Sequence, residues 1–244
     1  MSPTTDCLLD AWEQGCAVGA SERGMAVLSA VCPNVPPEEI DRLSAGEHDA
    51  RLLTLRERLF GPTLMAVVTC AGCGEQLELA LRTEDIRVPP RPATSDAEEI
   101  EVAGFGVSFR LPAVRDIARA TTTRDVSAFR REVLARCVLD VRKDGMPATH
   151  DDLPAEVVTA IAERMEELDP QANVEIGISC PRCDRRWSAA LDVALFVWAE
   201  LDAWARRLLH DVHRLAAAHG WSEHDVLAMS PLRRSLYLDM LGGR

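Results

Sequence analysis

Two Cys-x-x-Cys pairs, Cys70/Cys73 and Cys180/Cys183, stand in matching surroundings far apart in the chain, and no other feature restricts the fold as strongly. Each pair lies where a β-hairpin should turn. Leu64–Thr69 leads into the first pair and Leu77–Leu81 leaves it; Val174–Ser179 and Trp187–Leu191 do the same for the second. Leu77, Leu79 and Leu81 alternate with polar or small residues, as do Val174, Ile176 and Ile178, which is the period of half-buried strands. Gly74, directly after Cys73, permits the positive φ that turns backbone amides towards sulfur. In the second pair Pro181 fixes φ after Cys180, and Asp184 is of a type that tolerates the left-handed region. Four thiolates on two such knuckles can close a tetrahedral Zn²⁺ site, which takes soft ligands and leaves no open position when its role is structural. Cys70, Cys73, Cys180 and Cys183 are thus the expected ligands of one zinc ribbon split by a long insertion. The competing reading is two reduced or redox-active pairs.

The other cysteines, Cys7, Cys16, Cys32 and Cys137, occur in apolar helical settings without a knuckle and read as buried free thiols. The chain opens Met1-Ser-Pro-Thr-Thr-Asp6, with neither a basic nor an apolar run, which argues against secretion. No apolar stretch is long enough for a transmembrane helix, so no membrane partner is expected. A reducing cytoplasm fits both facts and favours metal over disulfides. A net charge of −12 opposes the electrostatic footprint of a nucleic-acid binder, although zinc ribbons often serve that role.

The expected class is α+β, predominantly helical, with the split zinc ribbon flanked by helices. Residues 1–62 read as short helices: Ser21 caps a segment through Met25 and Leu28, Pro36 and Pro37 open another, and a third through Leu52 and Leu59 stops at Gly61-Pro62. Residues 63–87 form the first knuckle hairpin, and 88–99, proline-rich and acidic, a linker. Residues 100–172 form an inserted region. It begins with a hairpin, Ile100–Val102 and Val107–Leu111, turning at Gly104-Phe-Gly106. One helical face follows through Val126, Phe129, Val133, Cys137 and Val141, broken by Asp144-Gly145, and another through Leu153, Val157, Ile161, Met165 and Leu168. Residues 173–191 are the second knuckle. Residues 192–244 hold a long helix from Asp192 to Gly220, with apolar positions from Leu195 through Leu215, and two short helices capped by Ser222 and Ser230.

No catalytic constellation emerges. His210 and His213 share a helix face but read as a solvated pair, and no metalloprotease, phosphate-loop or nucleophile-elbow motif occurs. Trp12, Trp187, Trp198, Trp204 and Trp221 read mainly as core anchors. Two tryptophans on one helix could nevertheless exceed what the chain itself buries. Trp198, Trp204 and Trp221 are therefore candidate partner-binding residues, together with Arg233, Arg234 and Tyr237 of the last helix.

With Trp221-Ser-Glu-His-Asp-Val-Leu-Ala-Met-Ser-Pro-Leu-Arg-Arg-Ser-Leu-Tyr-Leu238 in view, the chain resembles the baseplate hub assembly chaperones of T-even-type phages, found also in phage-like contractile injection systems. Leu55–Pro62 with the first knuckle, Gly106–Pro112 and Ala199–Trp204 add to the likeness. The resemblance implies a non-enzymatic protein that helps assemble a baseplate hub or spike, with hub, spike or tube-proximal proteins as partners. The zinc expectation rests on the cysteines themselves. The alternative is a cytoplasmic zinc-ribbon adaptor or regulator that binds protein or nucleic acid.

Overall fold

The computed structural model describes residues 3–89, 97–120 and 125–242. Four helices open the chain: α1 (Thr5–Ala17), α2 (Arg23–Val31), α3 (Pro37–Arg42) and α4 (Ala45–Phe60). They are not uniformly short, since α1 has 13 residues and α4 has 16. Ser21 is not the cap expected of it: a 3-10 turn over Ala20–Glu22 absorbs it, and Glu22 stands at the start of α2. Ser44 and Glu47 cap α4 reciprocally, each side chain accepting from the other's amide.

The first hairpin pairs β1 (Thr63–Thr69) with β2 (Gln76–Arg82), followed by the single turn α5 (Thr83–Ile86). Next come β3 (Glu98–Val102), β4 (Phe105–Phe109), α6 (Val114–Ala120), α7 (Val126–Cys137), β5 (Val138–Lys143), β6 (Met146–Pro147) and α8 (Ala155–Leu168). Strands β3-β4-β5-β6 form one antiparallel sheet. Its inner face, Phe105, Val107, Phe109 and Val141, packs on Val157 and Ile161 of α8 as a core of its own.

Several expectations for this region are corrected. Glu98 and Glu99 belong to β3 rather than a linker, and residues 90–96 of that linker lie outside the described residues. The first turn of the sheet is Ala103-Gly104, both at positive φ, which leaves Phe105 and Gly106 in the strand. Asp144-Gly145, also both at positive φ, is a tight hairpin turn between β5 and β6 and not a helix breaker. Val141 therefore sits in a strand: the helical face expected through it ends at Cys137, and Val126 at its other end is exposed.

The second hairpin pairs β7 (Glu175–Ser179) with β8 (Arg186–Ala190). Then follow α9 (Val193–His219), α10 (Glu223–Leu227) and α11 (Pro231–Gly242). Asp192 caps α9 through the Leu195 amide at 2.8 Å, and Gly220 ends it in the left-handed conformation. Leu195 itself faces solvent, whereas Trp198, Leu201, Ala205, Leu208, Val212 and Leu215 are buried. The first half of α9 joins α1–α4 in the largest core, with Leu52, Leu53, Val197 and Leu201 at its centre.

The excursion between the two hairpins returns to where it left. Gln171 donates to the carbonyl of Ile86 at 3.2 Å and accepts the amide of Val88 at 2.7 Å, so the two ends of residues 88–171 are fastened together. Asp169 accepts the amide of Gly46 at 2.8 Å, at the positive end of α4. A side chain at position 46 would meet Asp169, so glycine there permits the contact. Burial pushes the Asp169 carboxyl up, against the lowering effect of the Gly46 amide.

Arg56 fixes the first hairpin to the body. It is 2 % exposed, pairs through Nε and Nη2 with both carboxylate oxygens of Glu200 on α9 at 2.7 and 2.8 Å, and donates to the carbonyls of Gly61 and Thr63. Arg56→Met should cost about 3 kcal/mol, since it strands a partly buried carboxylate and two carbonyls. Urea denaturation measures this, and a loss below about 1 kcal/mol, the scale of a surface pair, would show that the arginine does not hold the hairpin.

Candidate metal centre

The two knuckles share the same pair of backbone hydrogen bonds. Cys70 N donates to Glu75 O at 2.8 Å and Gly74 N to Cys70 O at 2.8 Å; Cys180 N donates to Arg185 O at 2.9 Å and Asp184 N to Cys180 O at 2.9 Å. Gly74 and Asp184 occupy equivalent places, at φ 74° and 55°. This turn swings the peptide amides inward, and Gly72 N reaches Cys70 Sγ at 3.4 Å.

All four thiols converge, their sulfurs within 4.8 Å of one another. Cys70 Sγ lies 3.7 Å from Cys183 Sγ, and Cys73 Sγ 3.6 Å from Cys180 Sγ. These separations are far too long for disulfides. They agree with the edge of a tetrahedron of sulfurs around zinc, about 3.8 Å for Zn–S bonds of about 2.3 Å. Beneath the cluster the hairpins meet face to face through Leu77 and Ile178, with Val68, Leu79, Ile176 and Trp187 at the edges. The hairpins form two separate two-stranded sheets and share no ladder, so side chains and sulfur join them. An exposed Arg182–Glu75 pair at 2.9 Å adds a bridge between the knuckles. Cys70 and Cys180 are buried, Cys73 is half-buried and Cys183 faces solvent.

The thiols oppose one another's ionisation. Burial raises the Cys70 pKa, but the amides of Gly72 and Cys73 and the thiols of Cys183 and Cys180 outweigh it and bring it down to about 7. Once that sulfur carries charge, its neighbours resist ionising. The backbone at Glu75 favours the Cys73 thiolate, yet burial and the adjoining sulfurs push it up to about 12. Cys183 is also pushed up, against the stabilising backbone bond at Arg185, by burial and the thiols of Cys70 and Cys180. A soft divalent cation held by the sulfurs would offset this mutual opposition. The donor set therefore fits a four-sulfur metal site.

The remaining thiols correct the expectation of burial: Cys137 is buried, Cys7 and Cys32 are half-buried, and Cys16 is exposed. Most residues expected to meet a partner are occupied internally. Trp198, 7 % exposed, lies against Gly15 with the Arg23 guanidinium 4.9 Å from its ring centre, so it is a core residue. Trp204 is half-buried against Leu9 and Leu208. Trp221 stacks on His219 at 4.4 Å and meets the edge of Tyr237 at 4.9 Å, locking α10 and α11 to the end of α9. Arg234 is 7 % exposed and donates to Met229 O at 3.0 Å, so it too serves the chain's own packing. Arg233 remains exposed. Leu232, Leu236 and Met240, apolar positions that mark the last helix in the sequence by their spacing of four, lie on the uncovered side of α11.

A family model described as T4 bacteriophage base plate protein matches residues 25–192. The chain belongs to that family. No curated protein and no solved structure matches it. The matched residues include both knuckles and the four-stranded sheet, and stop at the cap of α9. The C-terminal segment 221–238, which gave the resemblance its starting point, lies beyond them. Membership supports a baseplate-related structural or assembly role and association with other baseplate proteins. Among the described residues no helix is long and apolar enough to cross a membrane.

Cys180→Ser should loosen both hairpins of this family member, because the site connects residues 113 apart in sequence. A cross-link closing a loop of about a hundred residues is worth about 4–5 kcal/mol in chain entropy. Amide exchange should therefore quicken in β1–β2 as well as in β7–β8. Exchange in β1–β2 that matches the parent protein would show that the hairpins are held independently.

Proposed function

We propose that this protein is a non-enzymatic assembly factor or minor structural component of the baseplate hub or spike in a contractile phage tail or injection system, stabilised by a structural Zn²⁺. The observation that carries the reading is the family match over both knuckles and the inserted sheet. When bound, the zinc would supply a charge-neutralising cross-link. Cys70, Cys73, Cys180 and Cys183 would hold it as a closed four-sulfur ribbon site, with no position open to substrate. The division of labour follows the chain. The helical region 1–62 and the long helix form the body, the knuckle hairpins 63–87 and 173–191 the clasp, and residues 100–172 a module inserted between the clasp's halves. The C-terminal helices beyond the matched residues are the part suited to partner-specific contact, with Arg233 on the exposed side. Within a tail-like particle the partners would be hub, spike or tube-proximal proteins. The charge of −12 weighs against the nucleic-acid adaptor reading.

The test is genetic and biochemical. In a host that produces the particle, deleting the gene should yield tails that lack a complete baseplate, and a tagged copy should bring down hub or spike proteins. Complete, functional particles in the deletion strain, with no baseplate protein recovered on the tag, would refute the reading.

A further inference from the structure

Among the described residues, an apolar surface is left uncovered near each end of α9. The first is a ridge on α11. Leu232, Leu236 and Met240 stand at i, i+4 and i+8 and are 73 %, 52 % and 67 % exposed. The opposite side of α11, through Tyr237, Leu238 and Leu241, packs on Val212, Leu215 and Val226. The ridge is therefore the face that this docking leaves over. The second surface is a cleft between β1 and the first half of α9, lined by Phe60, Met65, Phe196, Ala199 and Ala203, with Arg207 at its end. Met65 is 58 % exposed, and the two alanines leave room for another backbone to approach. The one carboxylate in the cleft, Glu200, is already engaged by Arg56.

We propose that the ridge of one copy docks in the cleft of a second, so that the chain associates head-to-tail with itself. The lengths correspond: the ridge spans eight residues of helix, about 12 Å, and the cleft from Phe196 to Ala203 spans seven, about 10 Å. The charges correspond as well. Asp239, exposed, flanks the Met240 end of the ridge, and Arg207, exposed, closes the cleft. Both partners of the contact thus lie on one molecule. Within one molecule they occupy different stretches of α9: α11 docks on Val212 and Leu215, whereas the apolar lining of the cleft is Phe196–Ala203. About 13 Å of helix lies between Ala203 and Val212. A contact between two different patches is heterologous, and it propagates into a ring or an open stack.

Sedimentation velocity on the full chain over a range of concentrations tests this. The sedimentation coefficient of the parent protein should rise with concentration. Leu236→Asp and Met65→Asp, each at an exposed site, should hold the protein monomeric with an unchanged melting curve. Mixed in equal amounts, the two variants should form a one-to-one dimer and nothing larger, since one retains the cleft and the other the ridge. Asp239→Arg should weaken the parent's association, and adding Arg207→Asp should restore it. A parent protein that stays monomeric throughout would overturn the proposal and assign the two surfaces to other proteins. A Met65→Asp variant that still associates would overturn it in favour of a ridge-to-ridge contact. Variants that remain monomeric when mixed would also refute it.

Discussion

Four sulfur atoms from either side of a long excursion must come within 4.8 Å of one another, and most of the chain's architecture follows from that requirement. Neither hairpin is a stable unit by itself, because two strands without a covered face are marginal in water. Each becomes stable against the other, through Leu77, Ile178 and the knuckle sulfurs. The excursion between them must therefore begin and end at neighbouring points. Gln171 arranges this directly, holding Ile86 and Val88 on one side while belonging to the approach to β7 on the other.

Protein contacts help to aim the knuckles at one another. Arg56 anchors the entry to β1 on α9, and Asp169 anchors the approach to β7 on α4. These are polar contacts at partly buried positions, so they are directional, and they fix where each hairpin points. Positions fixed in this way lower the entropic cost of closing a four-sulfur site. The proton chemistry of the thiols complements this geometry: one sulfur is shifted towards ionising and the next away from it, a conflict that a bound cation would relieve. The inserted sheet packs on α8 with its own core, so it can be carried between the halves of the clasp without disturbing it.

Legibility in the sequence followed the range of the interaction. Features set by neighbouring residues were readable: the alternation in both hairpins, the positive φ at Gly74 and Asp184, the caps of α9 and α10, and the stop at Gly61. Asp144-Gly145 was misread because the same dipeptide ends helices and turns hairpins; only the pairing of β5 with β4 distinguishes the two. Val141 lay at helical spacing from Cys137 by coincidence, and tertiary pairing decided its state. Arg56, Asp169 and Gln171 left no local signature, since each acts on a residue distant in sequence. At the candidate site all four cysteines were legible from spacing. In contrast, Trp198 and Arg234, candidates for partner contact, are buried, because residue type alone does not separate a core aromatic or a buried cation from an exposed one.

The central claim is that one metal ion joins the two knuckles. X-ray absorption on protein produced in zinc-replete medium, combined with elemental analysis, tests it most directly. The account predicts one zinc per chain surrounded by four sulfur scatterers at about 2.3 Å. A folded protein without metal, or an ion bound in a shell of nitrogen and oxygen, would contradict it.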